Sequence, residues 1–150
     1  MVLREVSDVV NEHSGNTRKV LEYSLIMKRL VDAAKRPGFS VESWAPLAAL
    51  VAVDEFERVG NFKEVMNWHD YAGFLTKWAT TSEWECSFKR IFESRGIVFL
   101  ELEERSKVGQ HKSVVNSLTV YEFNNSGKLR HLDIYLQMEL PDPEMLKAYK

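Results

Sequence analysis

The sequence has one cysteine, no long apolar run and no cluster of basic residues, and each absence excludes a class of protein. Cys86 alone cannot form an internal disulfide or a thiolate metal cluster. Since no run of about 18 apolar residues occurs, we expect no membrane-spanning helix and no membrane partner. The 20 lysines and arginines are dispersed among 22 acidic residues, a distribution that argues against a nucleic-acid partner.

Motifs that mark cofactor and nucleophile sites are also missing. No glycine-rich phosphate loop, GxGxxG or GxSxG segment occurs, so nucleotide binding and serine-hydrolase chemistry have no support. The four histidines show neither HxH nor HExxH spacing, so we expect no metal and no other cofactor. The start MVLREVSDVV carries acidic residues, unlike a secretory signal, and together with the lone cysteine this favours a cytoplasmic location.

The length and the apolar content of 45% indicate one domain over residues 1–150, with residues 1–16 as a lead-in segment. Apolar residues at helical spacing predict a short first helix, a long second helix and a buried third helix. Ser43 is the predicted cap of the third helix, and Pro46 is predicted in its first turn. Asn67 is the predicted N-cap of the last helix. The predicted helices cover residues 2–13, 17–35, 44–52 and 67–79.

The second half of the chain has the alternation of a β-sheet. A short strand is predicted in DEFERVGNF, and from residue 83 the apolar period changes from 3.6 to 2. Short links, among them NNSG with Gly127 free to take a positive φ, make consecutive strands antiparallel. Helices followed by a meander indicate an α+β fold. The four later strands are predicted at residues 83–93, 96–107, 112–123 and 128–138.

Three segments together resemble the NTF2-like superfamily, and within it the SnoaL-like branch of polyketide cyclases and ketosteroid-isomerase-like proteins. The segments are VAVDEFERVG, NWHDYAGFLTKWA and the closing VYEFNNSGKLRHLDIYLQ. The resemblance implies a cone in which N-terminal helices pack on a curved antiparallel sheet and leave an apolar, cofactor-independent pocket. It also implies a homodimer through the convex sheet face, for which the candidate residues are Ile91, Leu118, Val120 and Tyr135.

The sequence departs from the catalytic patterns of this branch. Ile134 takes the rough position of a carboxylate in the epoxide-hydrolase members. Arg58 and Thr119 take the rough positions of the base and the second acid in the ketosteroid-isomerase members. The resemblance therefore does not carry either mechanism to this chain.

Two charged residues remain as candidates for catalysis. Alternation with Leu100 and Leu102 places Glu104 on the inward face, and Arg58 lies on the early strand. In an apolar cavity the two would form an ion pair, since an unpaired buried charge is costly. The functional interpretation is that Arg58 orients or polarises a substrate oxygen while Glu104 moves a proton. The alternatives are a structural ion pair or two surface side chains.

The candidate substrate-binding residues are those expected to line the pocket. Core packing is the alternative for the tryptophans, and cross-strand packing is the alternative for the hydroxyl residues. His111 is a reserve acid–base candidate. These residues favour an enzyme on a small apolar, polycyclic or terpenoid-like substrate, with a non-catalytic binding or dimerisation protein as the alternative. The binding candidates are Trp44, Phe56, Trp68, Tyr71, Leu102, Ser117, Thr119, Tyr121, Leu132 and Ile134.

Overall fold

The computed structural model describes residues 2–140, so both ends of the predicted domain lie outside the described residues. Within that range the helices are α1 (Val6–Val9), α2 (Gly15–Ala33), α3 (Ala45–Ala48) and α4 (Trp68–Thr81). The strands are β1 (Glu57–Val59), β2 (Val65–Met66), β3 (Ser82–Ser94), β4 (Ile97–Val108), β5 (His111–Phe123) and β6 (Leu129–Gln137). No helix among residues 2–140 is long and apolar enough to cross a membrane.

The predicted meander and the α+β class are confirmed. The described strands form one sheet of six in the order β2-β1-β6-β5-β4-β3, and β3 to β6 pair antiparallel with their sequence neighbours. Gly127, with φ 76°, closes the β5–β6 turn by donating its N–H to the Asn124 carbonyl at 3.0 Å. A positive φ at this position is the conformation that glycine adopts at low cost.

The sheet is mixed, whereas the sequence predicted an antiparallel one. Strand β1 pairs parallel with β6, with Arg58 opposite Leu132. Helix α4 and the whole meander connect these two strands, so no tight turn dictates their relative direction. Strand β2 was not predicted because Val65 and Met66 are too few to show alternation.

The predicted helix over 44–52 is much shorter in the structure. A 3₁₀ turn over Val41–Trp44 leads into the four-residue α3. Ser40 occupies the N-cap instead of Ser43, and its backbone N–H donates to Ser43 Oγ at 3.0 Å. The helix ends early because Leu129 takes the chain into the sheet. Its N–H donates to the Leu50 carbonyl at 2.9 Å, and its carbonyl accepts from Ala52 N–H at 2.8 Å.

The predicted lead-in helix over 2–13 is also shorter. Arg4 instead forms a two-bond bridge with Phe88 (N–O distances of 3.2 and 2.7 Å), which covers part of the exposed edge of β3. The start of α4 is confirmed, since Asn67 Oδ1 accepts from Asp70 N–H at 2.8 Å.

An irregularity in β3 reverses one predicted orientation. The register against β4 shifts between Phe88 and Arg90, so Ile91 lies opposite the buried Leu100 and packs against the core. A β-bulge adds one residue to a strand, which moves every later side chain to the other face. Ile91 therefore does not belong to the outer-face patch, whereas the exposed Phe92 does.

Candidate functional site

A cavity of about 280 Å³ lies between α2, α4 and the inner face of the sheet. The register explains its lining, because Thr119 lies opposite Ile134 and Tyr121 lies opposite Leu132 on adjacent strands. Residues 132, 134 and 136 of β6 face inward, as alternation from Gly127 predicted. Most of the wall is apolar, with side chains from helices and strands that include Met27, Leu75, Trp78, Leu102, Leu132 and Leu136.

Arg58 brings an almost buried guanidinium to this wall. Its side chain is 11% exposed, and its Cζ lies 5.1 Å from the ring centre of Tyr71 and 5.4 Å from that of Phe74. The two aromatic faces stabilise the positive charge. Within residues 2–140, however, Nε and Nη1 are buried and have no hydrogen-bond acceptor. Buried donors without acceptors are costly, and the residue that carries them lines the cavity.

Glu104 lines the same cavity from β4. Its Oε1 accepts a hydrogen bond from Trp84 Nε1 at 2.8 Å, which fixes the orientation of the carboxylate. Cys86 lies opposite Glu104 on β3. Burial, and secondarily the charge of Glu104, raise the pKa of this thiol to about 12, so Cys86 is a thiol rather than a nucleophilic thiolate at neutral pH.

The expected ion pair between Arg58 and Glu104 is not present. Arg58 Nη1 instead lies 3.7 Å from Glu64 Oε2, and the described partner of Glu104 is Trp84. These two partners are Glu64, on the β1–β2 loop, and Trp84, on β3. Neither belongs to the alternating apolar residues from which the site was predicted. The structure thus brings both candidate catalytic residues to one cavity.

Three buried tyrosines lie close together beside Arg58. The oxygens of Tyr23 and Tyr71 lie 3.3 Å apart, and the rings of Tyr23 and Tyr121 meet edge to face at 5.7 Å. Burial raises the pKa of all three phenols, although Arg58 opposes this effect at Tyr71. They are therefore hydrogen-bond donors at neutral pH. Sequence reasoning did not select Tyr23, and its only signal was its place on the apolar stripe of α2.

Four of the predicted binding residues lie outside the cavity lining. Trp44 is buried and donates its Nε1–H to Thr76 Oγ1 at 3.0 Å, as a core residue. Phe56 stacks behind Tyr71 at 5.8 Å, and Trp68 packs edge to face on Phe56 at 5.6 Å. Ser117 is buried, and its hydroxyl has no partner within residues 2–140. The other predicted binding residues do line the cavity: Tyr71, Leu102, Thr119, Tyr121, Leu132 and Ile134.

Other side chains have places that the sequence did not indicate. Trp78 and Trp84, which were interpreted as core residues, pack 6.2 Å apart and line the cavity. Helix α4 ends at Thr81 and β3 begins at Ser82, so no loop separates the elements that carry these two indoles. The apolar periodicity did not indicate so short a connection. His111, the reserve candidate, is an exposed residue at the start of β5 and does not line the cavity.

Comparison with known proteins gives matches of structure only. No protein-family model matches the sequence, and no curated protein matches it either. SalBIII, an epoxide hydrolase/cyclase-like enzyme in pyran ring formation in polyether salinomycin, is similar with a TM-score of 0.61 and 13% identity over 82% of this chain and 91% of that one.

Two further solved structures show the same architecture. An NTF2-like protein of unknown function from an Exiguobacterium species has a TM-score of 0.61 and 14% identity, over 77% of this chain and 98% of that chain. An LEH-like epoxide hydrolase of M. tuberculosis has a TM-score of 0.55 and 16% identity, over 75% of this chain and 84% of that one. At these identities the likeness establishes the fold alone, and this chain has the NTF2-like fold.

Proposed function

We propose that this protein is a cofactor-independent acid–base enzyme of the SnoaL-like kind, acting on a small, mainly apolar substrate that carries a carbonyl oxygen. The observation that carries the proposal is the buried Arg58, whose Nε and Nη1 have no acceptor within residues 2–140, in a cavity shared with Glu104. The similarity to a cyclase-like enzyme and an epoxide hydrolase supports an enzyme of this fold.

The residues fit a proton transfer beside a carbonyl group. The substrate oxygen accepts hydrogen bonds from Arg58, and Glu104 removes a proton from the neighbouring carbon. The electron pair of the broken C–H bond moves to the oxygen, where the guanidinium stabilises the growing negative charge. If the proton returns to a different carbon, the product is an isomer. If the carbon that lost the proton attacks an electrophile within the substrate, the product is a new ring.

The volume of the cavity limits the size of the substrate. Its volume of about 280 Å³ is just below the range of about 300–1,000 Å³ that ligand pockets occupy. This supports a monocyclic or small terpenoid-like substrate rather than a polycyclic one. The apolar walls supply affinity, while Arg58 and Glu104 set the orientation.

The test is deuterium incorporation into enolisable cyclic ketones, with cyclohexanone as the first probe. The protein is incubated with the ketone in D₂O, and exchange at the carbon beside the carbonyl is followed by NMR. We expect the wild-type protein to accelerate exchange and Glu104→Gln to lower the rate about 100-fold or more. Glu103→Gln is the matched control, because Glu103 directly precedes Glu104 on the same strand, faces outward and pairs with Arg105 at 2.9 Å. Absence of acceleration, or full activity in Glu104→Gln, would contradict the proposal.

Ligand binding without turnover is the second candidate. One observation favours it: Thr119 and Ile134, which take the rough positions of carboxylates in catalytic members of the branch, line the cavity here without an acid group. The same NMR samples separate the two functions. A binding protein would shift and broaden the ketone resonances without any deuterium incorporation, and Glu104→Gln would leave that broadening unchanged.

We also propose a homodimer through the outer face of the sheet. Its support is a group of exposed apolar residues on β3, β5 and β6, namely Phe92, Leu118 and Tyr135. Light scattering at micromolar concentration should give the mass of two chains, and a monomer mass would reject the dimer.

A cytoplasmic location of the protein also stays a prediction.

A further inference from the structure

The loop between β1 and β2 places a second carboxylate against Arg58. Glu64 Oε2 lies 3.7 Å from Arg58 Nη1, while Glu64 Oε1 accepts a hydrogen bond from the Phe62 N–H at 3.0 Å. The turn is closed by Gly60 N–H, which donates to the Glu64 carbonyl at 2.9 Å. Burial raises the pKa of Glu64, but the backbone N–H groups and Arg58 together outweigh it, and the net pKa is lowered. Glu64 is therefore an ionised counter-ion at neutral pH.

The position of this carboxylate depends on the lack of a side chain at Gly60. A Cβ built on Gly60 would overlap the carboxylate of Glu64. Gly60 does not have a positive φ, so an alanine could adopt its backbone conformation. The missing Cβ thus leaves the space in which Glu64 reaches Arg58.

The charges around the ligand position then decide which ligand fits. Two carboxylates accompany the one guanidinium: Glu64, 3.7 Å from Arg58 Nη1, and Glu104, which lines the same cavity. A ligand carboxylate would add a third negative charge in a poorly solvated site, where like charges repel strongly. A neutral carbonyl oxygen meets no such repulsion and can still accept a hydrogen bond from the Arg58 guanidinium, since Arg58 lines the cavity.

We propose that Glu64 is a specificity-determining residue that neutralises Arg58, so that the cavity accepts neutral carbonyl compounds and rejects carboxylic acids. The proposal rests on the proposed function only in placing the ligand oxygen on Arg58. Glu64 does not line the cavity itself. It acts through Arg58, and its effect is on the choice between ligands of equal size.

The test compares two probes of nearly equal shape, cyclohexanecarboxamide and cyclohexanecarboxylate, by calorimetric or NMR titration at pH 7.5. With the wild-type protein we expect the amide to bind about tenfold more tightly than the carboxylate. Glu64→Gln keeps the shape but removes the charge, so carboxylate affinity should rise about tenfold while amide affinity changes less than about twofold. Gly60→Ala keeps the charge but displaces it, so the preference should move in the same direction.

Glu57→Gln is the matched control, because Glu57 precedes Arg58 on β1 but faces outward and contacts His131 at 3.2 Å. It should leave the preference between the two probes unchanged. A wild-type protein that binds the carboxylate as tightly as the amide, or fails to bind the amide, would overturn the proposal. So would an unchanged preference in Glu64→Gln. The deuterium-exchange assay depends on Glu104 and can fail while the selectivity holds, so failure of the two proposals can be told apart.

Discussion

Charged side chains on the two faces of the sheet differ in the partners that surround them. On the outer face several charges form ion pairs with partly exposed partners: Arg90 pairs with Glu101 at 2.6 Å, and Arg105 pairs with Glu103 at 2.9 Å. On the inner face Arg58 keeps buried donors without acceptors within residues 2–140. Ion pairs in water contribute little to stability, whereas an unsatisfied buried donor costs stability. The face that gives up stability is the face suited to binding a ligand.

Adjacent residues show the same contrast. Glu57 and Arg58 are neighbours on β1, and Glu103 and Glu104 are neighbours on β4, yet one of each pair faces solvent and the other faces the cavity. Side chains alternate across a strand. A shift of one residue would exchange the two sets, so the register of β1 and β4 decides the chemistry of the site.

The largest expected effect comes from the three buried tyrosines of the inner face. Each has a raised pKa because of burial, so in the folded state the phenols keep their protons above pH 10, where they ionise in the unfolded chain. The unfolded state then binds fewer protons, and stability must fall as pH rises above 10. The slope is about 4 kcal/mol per pH unit for three groups.

Denaturant unfolding monitored by circular dichroism from pH 9 upward measures this slope. Tyr23→Phe removes one titrating group and should lower the contribution of the tyrosines to the slope by about a third. Ionisation of all three phenols in the folded protein, seen as phenolate absorbance before loss of the circular dichroism signal, would contradict the account.

The second prediction compares one leucine from each face. Leu100 is 1% exposed on the inner face and Leu118 is 39% exposed on the outer face. Leu100→Ala should lower the free energy of unfolding by about 3 kcal/mol, since it leaves a cavity in the core. Leu118→Ala should lower it by less than about 1 kcal/mol in the monomer. Urea denaturation of both variants checks the comparison, and equal losses would mean that the two faces are not distinguished by burial.

The third prediction concerns stability and has the opposite sign. Arg58→Met removes the buried donors that have no acceptor and leaves Glu64, which is 41% exposed, free to turn to solvent. We expect the free energy of unfolding to rise by about 1 kcal/mol, while ketone exchange is lost. Arg105→Met on the outer face breaks an ion pair and should lower stability by about 0.5 kcal/mol. A marked loss of stability in Arg58→Met would identify Arg58 as a structural residue.

Much of the sheet was readable from the sequence because its signals are local. Long alternation, and links containing Gly96, Gly109 and Gly127, each with a positive φ, defined the four strands of the meander. The same alternation brought Thr119 and Leu132 to one face. These features depend on residues near each other in the chain, which is where sequence patterns carry information.

The missed features depend on contacts between distant segments. The bulge after Phe88 reversed Ile91, and the pairing of Leu129 with residues 50 and 52 shortened α3. The partners of the two charged candidates, Glu64 and Trp84, also lie on other elements. Since the expected pairing of Arg58 with Glu104 considered only the inner wall, it was wrong for this reason.

The most direct test of whether Arg58 binds a carbonyl oxygen is a crystal structure of the complex with cyclohexanecarboxamide. The account predicts the amide oxygen at about 3 Å from a guanidinium nitrogen of Arg58, with the ring against Trp78 and Leu132. A ligand whose oxygen points to solvent, or a cavity that stays closed to the amide at saturating concentration, would contradict it.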